Sequence, residues 1–161
     1  MTINVSLTAL FLDQFVKFLI KEKFFVNESL PVIKSLLHVT FVKNYGAAMG
    51  FLKGQNNFLV MSAMMSIILL LAYSQKIKWQ DTYFRICLGL LLGGALGNLV
   101  DRMTLGYVID YFDLRFFPAI FNLADIFIDA GVLYLFIKVL KTDENVLFPF
   151  GIKSHKETTT T

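Results

Sequence analysis

The sequence predicts an all-α membrane protein of four transmembrane helices, with a small extracytoplasmic β element in the loop between the first two. Three observations lead there. Of 161 residues, 56% are hydrophobic and only 17% charged, against about 45–50% and about 25% in soluble domains. The interval from Lys53 to Lys76 carries no charge, nor does that from Arg85 to Asp101. The chain has room for roughly four apolar crossings of about 20 residues each, plus loops. Such a composition excludes a disordered chain and a large soluble catalytic domain.

Taken in order, the first helix covers roughly residues 2–20 and is interrupted by Asp13 and Lys17, spaced four apart so that they can neutralise each other. It lacks the basic start and the small-residue cleavage site of a removable leader, so it is read as a retained span. The loop over 21–56 contains LLHVTF (Leu36–Phe41), whose β-branched and aromatic residues suit a strand. It also contains Gly46 and Gly50, placed for turns. The second helix, 57–74, is apolar throughout. The third, 86–101, carries Gly89, Gly93 and Gly97 at four-residue intervals, a stripe that lets another backbone approach closely. Gly94, Asn98 and Arg102 form a neighbouring stripe. After a loop over 102–118, the fourth helix spans 119–140, with Asn122, Asp125 and Asp129 on one face turned into the bundle. A polar tail follows Lys141, and residues 1–161 read as one domain.

Four crossings put both termini on one side. Basic residues divide seven against seven between the two sides, so the positive-inside rule is decided by the dense patch in the short Ser74–Phe84 connection, which makes that side and the termini cytoplasmic. The net charge of +3 comes with no basic cluster on a soluble fold, so no nucleic acid is implied. Cys87 is the single cysteine and reads as packing, and His38 stands apart from any metal-ligand cluster.

The acids are unevenly placed. Five of the twelve, Asp101, Asp110, Asp113, Asp125 and Asp129, fall around the last two helices. Since a charge at the bilayer centre costs about 2.5–3.5 kcal/mol on insertion scales, acids at membrane depth mark functional sites. Asp113 and Arg115 read as solvated surface groups. From the residues alone two functions remain open: a hydrolase using paired carboxylates, and a transporter or proton channel using Asp13, Asp110, Asp125 and Asp129 as a relay. A noncatalytic scaffold is the third alternative.

The blocks DQFVK (Asp13–Lys17), NYGAAMG (Asn44–Gly50), GGALGNLVDR (Gly93–Arg102), GYVIDYFD (Gly106–Asp113) and FNLADIFID (Phe121–Asp129) resemble, in order and spacing, the signature blocks of the lipoprotein signal peptidase (type II signal peptidase) family. Met49 departs from the Phe usual in the second block. The resemblance implies a four-helix aspartyl endopeptidase of the bacterial inner membrane. It would cleave diacylglyceryl-modified prolipoproteins before the lipid-modified cysteine, as a monomer among membrane lipids and without a cofactor. It places the catalytic pair on Asp110 and Asp125 and supporting roles on Asp13, Lys17, Asn44, Asn98, Asp101, Arg102 and Asn122. The site would lie near the extracytoplasmic face, with Asp110 ending a short loop and Asp125 well inside the fourth helix. Two carboxyls held close suit this chemistry, because like charges resist double ionisation and the pair shares a proton.

Overall fold

A computed structural model describes residues 1–47, 51–75 and 81–141. Met49, Gly50, the basic connection at Lys76 and Lys78, and the tail after Lys141 lie outside the described residues. The elements run α1 (Thr2–Lys23), β1 (Ser29–Ile33), β2 (Leu37–Asn44), α2 (Asn56–Ser74), α3 (Thr82–Thr104), β3 (Val108–Leu114), β4 (Ile120–Phe121) and α4 (Leu123–Lys141).

Helix α1 carries polar residues inside and apolar ones outside. On α1 the buried stripe is Ser6, Ala9, Asp13, Lys17 and Ile20, while Ile3, Leu7, Phe11, Phe15 and Phe18 are exposed. Water would drive the opposite arrangement, and an apolar solvent around the helix permits this one. Among the described residues, α1 and α3 are the helices long and apolar enough to cross a membrane, with a shorter apolar stretch at Asn56–Ala72 in α2.

Helix α3 is the hub, packed against α1, α2 and α4. Its small residues permit this on two sides. A Cβ at Gly93 would sit 2.6 Å from the Ser6 carbonyl oxygen of α1, and one at Gly94 would strike the Ala124 carbonyl of α4. The glycine stripe therefore seats α1, and Gly94 seats α4. At the far end, Asp81 caps α3 by accepting from Phe84 N–H at 2.8 Å. It also pairs with Lys138 and accepts from Tyr134 at 3.1 Å, tying α3 to α4. This cap is why α3 begins at Thr82 rather than at residue 86. At its other end, Gly106 at φ +80° takes the left-handed conformation that turns the chain into β3.

The all-α expectation needs correction. The strands form one four-stranded antiparallel sheet in the order β1-β2-β3-β4. The first loop supplies the β1–β2 hairpin, but half the sheet comes from residues 108–121, where the sequence predicts loop and helix start. Phe112 pairs with Phe121 and Asp113 with Ile120, so α4 starts only at Leu123. The sheet sits on the end of α1 through a core of Ile20, Phe41, Ile109 and Tyr111.

Candidate active site

Residue types on four elements converge where the sheet meets α3 and α4. On β3, Asp110 lies mid-strand, opposite Val42 of β2, and is only 3% exposed. It does not end a loop. Its Oδ2 accepts from Asn44 Nδ2 at 2.9 Å and its Oδ1 from Asn122 Nδ2 at 2.6 Å. Asn44 is itself oriented by accepting the Gly46 N–H at 2.9 Å.

Asn122 precedes α4 as its N-cap instead of lying on the helix face. Its Oδ1 accepts the Asp125 N–H at 3.0 Å, while Asp125 Oδ2 accepts the Asn122 N–H at 3.1 Å. This reciprocal pair is a capping box, and it places Asp125 in the first turn of α4, not deeper. Asp125 Oδ1 also accepts from Asn98 Nδ2 at 2.8 Å. The next two N–H groups of α4 are satisfied from elsewhere: Leu123 donates to Tyr111 Oη at 3.1 Å and Ala124 to Asp13 Oδ1 at 3.0 Å. Every free donor at the helix start is thus held.

Behind the amides lies a buried charge cluster. Lys17 Nζ is 2.9 Å from Asp13 and 3.0 Å from Asp101, with all three side chains almost wholly buried, and it donates to Asn98 Oδ1 at 2.9 Å. Gln14 bridges Asp13, Asp101 and the Gly97 carbonyl. Asp101 also accepts the Ile109 N–H at 3.1 Å, which fixes β3 to α3. Arg102 donates to the carbonyls of Asn98 and Gly46 at 3.4 and 3.2 Å and, among the described residues, to no carboxylate. Gln14 and Tyr111 were not foreseen. Gln14 could have been suspected from its place inside the DQFVK block; nothing in the sequence marks the role of Tyr111.

Two further expectations change. Asp113 is buried, not solvated: it accepts from Thr40 at 2.8 Å and from Arg115 at 3.0 Å, which pins β2 to β3. Asp129 is exposed on α4 and does not face the bundle. Among the described residues the four acids of the relay alternative share no hydrogen bond with one another: Asp13 is bound to Lys17, and Asp129 is exposed.

Burial pushes the Asp110 carboxyl up from an ordinary 3.8 to about 7; the charge of Asp125 adds to this, and the amide donors of Asn44 and Asn122 oppose it. Beside Asp110 opens a cavity of about 500 Å³, bounded by Asn44, Gly46 and Lys53 on one side and by Pro118–Ile120 on the other. A buried acid with a raised pKa beside a cavity, with a second carboxyl close enough to act on it, is the arrangement of a proton-sharing catalytic pair. Among the described residues no group of His, Cys, Asp and Glu could hold a metal ion.

The chain is similar to known proteins in sequence and in fold. Residues 5–141 match the family model described as signal peptidase (SPase) II. The lipoprotein signal peptidase of Halothermothrix orenii is 44% identical over 83% of this chain and 92% of its own length. That of Moorella thermoacetica is 46% identical over 81% and 87%. A solved bacterial membrane enzyme superposes with a TM-score of 0.81 at 31% identity, covering 97% of this chain and 93% of its own. A second gives 0.77 at 32% identity, covering 88% and 94%.

Proposed function

Because the chain belongs to the signal peptidase II family, and so is an aspartic endopeptidase that removes signal peptides from prolipoproteins, we propose that Asp110 and Asp125 are its catalytic pair. The observation that carries this is the Asn122 side chain. One amide donates to Asp110 and accepts the backbone N–H of Asp125, so a single group sets the two carboxyls against each other.

Asp110, buried and with its pKa near 7, carries the shared proton and donates it to the carbonyl oxygen of the scissile peptide bond. Asp125 sits at a helix N-terminus and accepts from two N–H donors, a setting that suits negative charge. It removes a proton from the attacking water, whose oxygen adds to the carbonyl carbon. When the tetrahedral intermediate collapses, the C–N bond breaks and the proton on Asp125 passes to the leaving amine, while Asp110 recovers its own. Asn98 and Asn122 orient the pair without adding charge. Lys17 neutralises the buried acids behind them, and Arg102 holds the Gly46 loop beside Asp110.

All four helices span the bilayer in this reading, supported by the apolar side chains that α2 and α4 also expose, among them Met61, Met65, Leu69, Leu133 and Phe136. The sheet and both carboxyls then lie at the extracytoplasmic edge, with the termini cytoplasmic. The protein acts as a monomer of the bacterial inner membrane, on substrates whose cysteine already bears its diacylglyceryl group. Asp110→Asn and Asp125→Asn should each abolish processing of such a prolipoprotein in detergent while thermal unfolding still reports a folded protein. Full cleavage by either variant would overturn the assignment.

A further inference from the structure

We infer that Lys53 selects for an acidic side chain among the first few residues that follow the cleaved bond. The inference rests on the catalytic assignment above and adds the direction in which the substrate lies. The signal peptide is apolar and its place is along the helices; the cavity lies on the sheet side of Asp110, lined by residues of β2, by Tyr45, Gly46 and Lys53, and by Pro118–Ile120. A chain whose scissile bond sits at Asp110, with its apolar part among the helices, must therefore send its mature part into this cavity.

The cavity is electrically lopsided. Its lining contains two lysines, Lys43 and Lys53, and one acid, Asp110, whose burial favours its protonated form. The Lys43 ammonium is engaged, lying 4.9 Å above the ring centre of Tyr107. Lys53 is exposed and has no carboxylate partner in the described structure. It is also held in place by its backbone. Leu52 and Gly54 on either side of it take φ of 59° and 86°, and Gly54 N–H reaches back to the Tyr45 carbonyl at 3.4 Å. An ammonium anchored on a defined stretch of backbone in the cavity lining favours a negative charge arriving there, and disfavours a positive one.

The test uses the full-length protein in zwitterionic detergent with no added anionic lipid, so that a headgroup cannot supply the negative charge. Lipid-modified peptides carry Asp, Asn or Lys at each position in turn after the modified cysteine. At one or more positions the wild type should cleave the Asp peptide about tenfold faster than the Lys peptide in kcat/KM, with Asn between, and salt should narrow the gap by screening. Lys53→Gln should bring the Asp-to-Asn ratio to about one, and Lys53→Glu should invert the order. Equal rates for all peptides with the wild type, or a preference that persists in Lys53→Glu, would overturn the inference. Cleavage by Asp110→Asn would instead overturn the catalytic assignment beneath it.

Discussion

Removing the Asn44 amide should move the alkaline limit of activity upward. Asn44 Nδ2 donates to Asp110 Oδ2 at 2.9 Å, a bond that favours the ionised carboxyl and so opposes the burial that raises it. With Asn44→Ala the opposition is lost, and Asp110 holds its proton to higher pH. A hydrogen bond to a charged group is worth about 1.5–3 kcal/mol. Asn44 is only partly buried, so water replaces part of it and the lower figure applies, about one pH unit at 1.36 kcal/mol each. If Asp110 must be protonated to act, kcat/KM of the wild type falls as pH rises through about 7, and that of Asn44→Ala should fall about one unit later. The assay is processing of a lipid-modified prolipoprotein in detergent across about pH 5 to about pH 9. An unmoved limb, or one moved to lower pH, would refute the reasoning.

The same proton should be visible in stability. An unfolded chain releases an aspartate proton near the ordinary 3.8, whereas the folded protein keeps it on Asp110 up to about 7. Across that window the folded state binds more protons, so stability decreases as pH rises, by up to about 4 kcal/mol. Asp110→Asn should flatten this slope in thermal unfolding scans. A slope that survives the substitution would assign it to another group.

The remaining predictions concern the support. Lys17→Met leaves Asp13 and Asp101 buried without their cation, so it should destabilise the protein by about 3–5 kcal/mol in chemical or thermal unfolding; an unchanged midpoint would deny the cluster a structural role. Gly94→Ala drives a Cβ into the Ala124 carbonyl at the start of α4. It should cost about 1–3 kcal/mol of stability but roughly 100-fold in kcat, because Asp125 is carried out of register with Asp110. Equal, small losses in both would show that the helix start tolerates displacement.

The helices were legible because a bilayer demands long apolar runs and punishes charge, so the intervals between charges nearly mark their ends. Boundaries failed where a tertiary partner intervenes: Asp81 extends α3 by capping it, and pairing of Ile120 and Phe121 with β3 delays α4. Strand β3 was illegible for a related reason. VIDYFDL is buried on nearly every residue, so it lacks the alternation that marks a half-exposed strand, and its two acids drew attention as chemistry instead. The misplacement of Asp129 came from assuming that an acid in an apolar helix must face inward. Spacing alone cannot say which arc of α4 looks at α3; that arc is set by Gly94 and Gly131, which accept Ala124 and Leu91 at close quarters.

The asparagines were legible as positions but not as a design. Both side chains that donate to Asp110 are neutral amides, while the two buried or part-buried cations behind it are committed elsewhere, Lys17 to Asp13 and Asp101 and Arg102 to backbone carbonyls. A lysine or arginine bonded directly to Asp110 would stabilise its ionised form and deprive it of the proton it must donate. Amides satisfy the buried oxygens with a smaller penalty of the same kind, at the weaker bond strength of a neutral donor. The cations are still needed, because Asp13 and Asp101 hold Ala124 and Ile109, hence α4 and β3, and buried acids in that role require a counter-charge. The arrangement therefore separates two demands that one cation could not meet: neutralising the acids that build the site, and leaving the acid that acts within it free to keep its proton.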